Sequence, residues 1–319
     1  MVNEGGRADF LAKLDRITIW KRGERRAPHK PLLLLLALGR AYRGVPRLGR
    51  YGGDLEDRLT ALLKQFGPPR RAHHPEQPFA RLPGDGLWEI PGLNDVPKGA
   101  SGIPRLGDLR ALKGGFPEGT YDLVRTDPAL ALEAAQRILH RHFPSSLHAS
   151  IRDAVGLPFL HYESGLAPQV REPPSDDRGT PKRDPAFRRR VLRAYQRRCA
   201  ICEFDVRVED QLLGLEAAHI MWHAAGGPDH VPNGLALCAL HHRALDLGAI
   251  GLRWTGAQVK ILVSSEVNGM STAVRQLLDY REAPLRFPLN RNDAPDPRFV
   301  AWHAQEVFRR PALPGEPAA

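Results

Sequence analysis

The chain has 319 residues, 42% of them apolar and 26% charged, which suits two ordinary domains of a soluble globular protein. Its longest apolar run, Leu32 to Leu38, is too short to cross a bilayer, and MVNEGGRADF lacks the apolar core of a signal peptide, so we expect a cytoplasmic protein with no membrane partner. Three cysteines do not suggest a disulfide framework and leave metal binding open, while the net charge of +10, split as +7 over residues 1–165 and +3 over 166–319, favours a polyanion such as nucleic acid.

In chain order, Arg7 to Ile19 carries Phe10, Leu11, Leu14 and Ile17 at helical spacing. Pro31 to Tyr42 is apolar all round at its start, which predicts a buried helix with a proline in its first turn. Leu55 to Phe66 reads as an amphipathic helix. Pro78 to Ile90 (PFARLPGDGLWEI) has a Gly-Asp-Gly turn between two short apolar runs, which predicts a hairpin. Residues 129–143 and 146–155 return to helical spacing. The stretch 165–183, polar and rich in proline, reads as a linker between a first domain (1–164) and a second (184–319). Beyond it, Asp184-Pro185 should cap and open a helix with Phe187, Val191, Leu192 and Tyr195 on one face. Leu215 to Met221 is strand-like, Gly226 to Asp229 and Asn233-Gly234 are turns, and Leu240 to Leu247 suits a helix. Residues 249–319 look like a continuation of this domain, with a terminal helix at Asp296 to Arg309. The expected class is α+β.

The second domain holds the chemistry. Cys199-x2-Cys202 supplies two thiolates from one turn, and Cys238-x2-His241 has the same reach, so together they form a closed Cys3His set of structural zinc type. His242 follows His241 by about 100° around a helix and points elsewhere. It is free to meet His219 on the strand and Asn233 in the turn. A histidine on a strand, an asparagine and a histidine opening a helix make up a ββα-metal nuclease site. One divalent cation there neutralises the scissile phosphate, an imidazole deprotonates water, and an amide can orient that imidazole.

Residues 199–246 (CAIC…LEAAHI…GGPDHVPNGLALCALHHRALD) resemble the zinc-stapled HNH endonucleases of McrA-like type. The resemblance implies His219 as general base, Asn233 as its orienting residue and His242 as ligand of the catalytic metal. It also implies Cys199, Cys202, Cys238 and His241 on structural zinc. Many such enzymes place Asp or His just before the base; here that residue is Ala218, with Glu216, His223 or Asp246 as candidate substitutes. Mg²⁺ or Mn²⁺ is the natural catalytic ion, and imidazole ligation also suits Co²⁺ or Ni²⁺.

In the first domain, RRAPHKP puts Arg26, Pro28, His29 and Lys30 at the start of a helix, a phosphate-binding arrangement. HHPEQPF (His73, His74, Gln77, Pro78, Phe79) is polar and rigid, and as a plain turn it would fix the hairpin entry. Both stretches, with DGLWE at Asp85 to Glu89, resemble the sulfur-binding domain of McrA-like type IV restriction endonucleases over roughly residues 7–160. The resemblance implies recognition of phosphorothioated double-stranded DNA. Sulfur is larger and less hydrated than the oxygen it replaces, so an apolar pocket favours it. Pro78, Phe79, Ala80 and the Gln77 methylenes would build that pocket, His29 and Lys30 would grip a flanking phosphate, and Arg70, Arg71 or Arg81 would reach bases or backbone. A symmetric homodimer would cut both strands. The competing readings are an HNH enzyme reading a methylated or hydroxymethylated base, and a non-catalytic zinc-stapled DNA-binding regulator.

Overall fold

The computed structural model describes residues 4–20, 23–158, 184 and 186–315. Contacts divide the chain into two compact units, Met1–Pro174 and Ser175–Ala319. The expected linker at 165–183 lies outside the described residues, as does Pro185.

The first unit is built around one helix. After α1 (Glu4–Asp15) comes α2 (His29–Tyr42), with Pro31 in its opening turn. Leu32, Leu33, Leu34, Leu35 and Leu38 are 0% exposed, because α2 is packed on several sides. Its neighbours are α3 (Glu56–Phe66), α4 (Glu76–Arg81), α6 (Glu118–Thr126), α7 (Pro128–His142) and α8 (Ser145–Val155), with α5 (Leu106–Ala111) beside α4. Each fully buried leucine contributes roughly 1.5–3 kcal/mol, so this five-leucine stretch is the main apolar anchor of the unit. Gly39 lets α8 close on α2: a Cβ there would lie 2.0 Å from the Val155 carbonyl oxygen. The β element is a two-residue antiparallel pair, β1 (Gly49–Arg50) with β2 (Lys113–Gly114).

The hairpin expected over Pro78 to Ile90 does not form. Pro75 and Glu76 open α4, where Pro78 sits in the first turn and needs no N–H, and a 3₁₀ turn at Leu82–Asp85 follows. The helix turns Phe79 inward against Tyr51 and Trp88, at ring separations of 4.5 and 6.0 Å. Pro78, Phe79 and Leu82, taken for strand positions, therefore pack as a helical core face, while Leu87, Trp88 and Ile90 are buried beyond it without helix.

In the second unit α9 (Phe187–Ala194) buries Phe187, Val191 and Leu192. It starts two residues later than Asp184-Pro185 suggests, although Asp184 Oδ1 still accepts from Ala186 N at 2.7 Å. A short hairpin, β3 (Arg207–Val208) with β4 (Gln211–Leu212), precedes the central one. There β5 (Leu215–His219) pairs antiparallel with β6 (Gly234–Cys238), in a register running from Leu215↔Cys238 to His219↔Gly234. The helix α10 (Ala239–Asp246) follows β6 directly, completing a ββα unit whose two strands also pack against α9. A second hairpin, β7 (Ile250–Trp254) with β8 (Val259–Val263), α11 (Arg275–Leu278) and α12 (Pro297–Glu306), which Asp296 caps, complete the unit. This last third supports α10. His303 Nε2 donates to Leu245 O at 3.0 Å and Arg309 Nε to Leu247 O at 2.8 Å, satisfying carbonyls at the end of α10.

Candidate active site and DNA-reading surface

Cys199 and Cys202 lie in the turn after α9, Cys238 ends β6, and His241 sits in the first turn of α10. The fold brings all four together: one donor atom from each lies within 4.8 Å of the others. A tetrahedral ion with Zn–S near 2.3 Å sets sulfurs about 3.8 Å apart and a sulfur and nitrogen about 3.6 Å apart. Cys202 Sγ and Cys238 Sγ are 3.9 Å apart, and His241 Nδ1 is 3.6 Å from Cys199 Sγ and 3.2 Å from Cys238 Sγ. The opposite ring nitrogen, Nε2, meets the Gln276 carbonyl at 2.9 Å, which fixes the tautomer that turns Nδ1 to the thiolates. The cluster fits a metal ion of zinc size and has the closed character of a structural site.

His219 ends β5 and is nearly closed to solvent. Its ring stacks on Phe187 at 4.1 Å, and Nε2 lies 2.7 Å from Asp229 Oδ1. The start of α9 holds Asp229 in turn: the Asp184 amide donates to Oδ2 at 2.5 Å, and Arg190 Nη2 donates to the Asp229 carbonyl at 2.8 Å.

In the structure the carboxylate beside the His219 ring is that of Asp229, and the Asn233 amide bonds elsewhere. Asn233 is fully buried, but its two amide hydrogens go to Met221 O and Pro228 O, each at 3.0 Å, and its oxygen accepts from Met221 N at 2.8 Å. It fastens both ends of the loop that carries Asp229. Gly227 is needed in that loop, since a Cβ would lie 1.9 Å from Met221 O. Asp229 is the residue that reasoning from sequence missed. Its signal was a carboxylate in the loop joining the two strands at the end that bears His219.

His242, next to the thiolate cluster's His241, looks out of α10 between two carboxylates. Nδ1 lies 2.5 Å from Glu216 Oε2 and Nε2 lies 3.2 Å from Asp246 Oδ2. Burial disfavours a charged ring, but hydrogen bonds to Asp246 and Glu216 outweigh it and push His242 up to about 9. The bond to His242 holds Glu216 below the usual range of a glutamate. On a strand, residues two apart share a face, so Glu216 occupies the same side of β5 as Ala218. His223, the third candidate substitute, stands instead beside the other pair, with Nε2 3.9 Å from Asp229 Oδ2.

In the first unit the expected pocket is only partly present. Within α4, Gln77, Ala80 and Arg81 lie at i, i+3 and i+4 on the outward face, and Arg81 Nε donates to Gln77 Oε1 at 3.0 Å. Pro78 and Phe79 are buried, Phe79 at 0% exposure, so neither walls an open pocket. Lys30 is also not a free phosphate grip. Its ammonium pairs with Asp85 Oδ2 at 2.5 Å with both side chains mostly buried, and Asp85 Oδ1 accepts from Thr18 N. Pro28 is buried at the start of α2, and Arg26 Nη2 reaches the Phe66 carbonyl at 3.3 Å. His29 Nε2 donates to the His73 carbonyl at 2.9 Å, joining the two motifs although they are 44 residues apart. Burial lowers both the His29 and His73 rings, disfavouring their charged forms. Arg71 and His74 are exposed, with His74 at a positive φ of 49° and Nδ1 2.9 Å from Glu76 Oε1.

Residues 7–160 match the family model of the ScoMcrA-like DNA sulfur-binding domain. Residues 199–253 match that of the HNH endonuclease. The chain joins a DNA sulfur-binding domain to an HNH endonuclease domain. That domain content fits an McrA-like, modification-dependent endonuclease. Among solved structures, the sulfur-binding domain of ScoMcrA complexed with phosphorothioated DNA is 26% identical, over 46% of this chain and 95% of that one, at a TM-score of 0.42. The corresponding SprMcrA complex is 24% identical over 47% and 94%, at 0.40. The type IV phosphorothioation-dependent restriction endonuclease ScoMcrA is 18% identical over 74% and 94%, at 0.39. No curated protein matches the chain. Among the described residues no helix is long and apolar enough to cross a membrane. The ββα unit that carries His219, Asn233 and His242 lies inside the match to the HNH domain, whereas Phe187 and Arg190, which hold its loop, precede it.

Proposed function

We propose that the sulfur-binding domain, residues 1–164, docks the protein on phosphorothioated double-stranded DNA, and that the HNH domain, residues 184–319, then hydrolyses a nearby phosphodiester. The observation that carries this reading is the buried His219–Asp229 pair on the same ββα unit as His242, set in a chain that begins with a sulfur-binding domain. His219 takes a proton from water, and the Asp229 carboxylate beside its ring stabilises the imidazolium formed. Phe187 fixes the plane of that ring. His242, Glu216 and Asp246 form a mixed nitrogen and oxygen donor set for a divalent ion such as Mg²⁺, Mn²⁺, Co²⁺ or Ni²⁺. Bound there, the ion supplies charge to the scissile phosphate and its leaving oxygen. Cys199, Cys202, Cys238 and His241 hold zinc as a staple, and the cytoplasm keeps those thiolates reduced.

On the DNA-reading side, the outward face of α4 with His74 and Arg71 forms the polar rim of the mark's site, and the Gln77 methylenes and Ala80 supply its apolar contact. Lys30 acts through Asp85 by fixing the start of α2. The test compares binding of one short duplex, with and without a single backbone sulfur, at fixed salt and without divalent metal. A preference of tenfold or more, about 1.4 kcal/mol, supports the reading, and equal affinity removes it. Adding metal should then give cutting by the wild type and none by His219→Ala at unchanged affinity.

A further inference from the structure

The helix α9 and the turn that follows it carry a charge run that the active site does not use up. Residues 187–198 hold six arginines and no acid, although residues 166–319 as a whole are only +3. Two of the six are structural: Arg188 Nη2 donates to Leu215 O at 3.0 Å, and Arg190 pairs with Asp184 and the Asp229 carbonyl. These bonds lock α9 onto the strand and loop that hold His219. Arg198 stands 3.6 Å from Asp205.

Arg189, Arg193 and Arg197 are left facing outward, exposed, each four residues from the next. They line an open groove of about 780 Å³ whose far wall is Asp210, Gln211 and Leu212 at β4. Arg189 and Arg193, one helical turn apart, repel each other, Arg197 adds a third cation from the turn after the helix, and Asp210 is the one acid in the lining. A polyanion relieves that repulsion. Arg189 and Arg193 stand about 6 Å apart along the axis, a row of planar forks suited to successive phosphates.

We propose that this groove binds the phosphodiester backbone of the DNA, as a second electrostatic hold within the HNH domain. It rests on the reading of the chain as a DNA endonuclease. Because phosphate contacts position a duplex without reading it, the groove holds the duplex against the site while the sulfur-binding domain identifies the mark.

The experiment measures dissociation constants of the full chain for the sulfur-bearing and sulfur-free duplexes between 50 and 300 mM salt. Wild type is compared with the triple variant Arg189→Gln/Arg193→Gln/Arg197→Gln and with the triple lysine variant. Each phosphate contact adds about 0.9 to the slope of log affinity against log salt. The glutamine variant should lower that slope by about 2 to 3 and weaken both duplexes by the same factor, while the lysine variant keeps most of it. An unchanged slope with unchanged affinity would overturn the proposal, as would an equal loss in the lysine variant. Thermal unfolding and bound zinc equal to wild type show that the glutamine variant is folded; if it is not, the single variants, each expected to lower the slope by about 0.9, decide the matter. If wild type itself shows no preference for sulfur, the reading of the mark fails, but the slope comparison still stands.

Discussion

His219 Nε2 and Asp229 Oδ1 lie 2.7 Å apart, with both side chains less than a tenth exposed. On the proposed reading, this carboxylate stabilises the imidazolium that hydrolysis creates. Asp229→Asn should therefore slow cutting of a sulfur-bearing duplex by about a hundredfold while leaving DNA affinity and folding unchanged. Single-turnover cleavage at saturating metal reads this directly, and a wild-type rate would mean that Asp229 does not position the base.

Asn233 should behave differently. Its three hydrogen bonds tie backbone groups of a buried loop, and Asn233→Ala leaves those groups without partners. We expect a loss of about 2–4 kcal/mol in the stability of the HNH domain, seen by denaturant unfolding. A variant that unfolds like wild type yet cuts slowly would restore the orienting role to the amide.

Zinc is expected to be part of folding rather than chemistry. Cys199→Ser should release the ion and abolish the cooperative unfolding of the HNH domain, because binding free energy at such a site is folding free energy. Atomic absorption and calorimetry measure the two together. A zinc-free variant with a normal transition would count against the staple.

Metal activation should depend on pH through His242, whose ring its two carboxylates push up to about 9. A ligand must give up its proton, so below that value each pH unit costs up to about tenfold in apparent metal affinity. The manganese concentration for half-maximal cutting should fall between pH 6.5 and 8.5. A constant value across that range would remove His242 from the coordination sphere.

The first unit should weaken in acid. Burial lowers His142 to about 3 and His148 to about 4. Both rings are neutral when folded and take up protons near pH 6.5 when unfolded. Their contribution is complete above pH 6.5 and declines as pH falls towards 4, by at most about 1.4 kcal/mol per unit for each ring. Melting of the first unit should drop between pH 7 and pH 5, and less so in His148→Gln; equal melting points at the two pH values would contradict this.

What could be read from sequence was what short spacing determines. The leucine run gave α2, CxxC with CxxH gave the metal cluster, and the length of the apolar stretch at 215 gave β5. The hairpin at 78–90 was misread because Gly-Asp-Gly between apolar runs suits a turn after either strand or helix, and the packing of Phe79 against Tyr51 chose helix. Lys30 meets Asp85 across 55 residues and His29 meets His73 across 44, so no local pattern could show that the first cation is taken up inside the fold. Asp229 was hidden for a similar reason. The Asn233 amide and the Asp229 carboxylate are four residues apart in one loop, and only the loop's path decides which of them reaches the ring.

One turn of α10 carries both His241, in the thiolate cluster, and His242, between its carboxylates, while the sulfur-binding domain contains no cysteine. An oxidant that attacks thiolates therefore strikes one half of the molecule alone. On the proposed reading, the damaged protein would lose cutting and the hold of its HNH domain, while the sulfur-binding domain would keep it on marked DNA as a passive obstacle until thiols and zinc were restored.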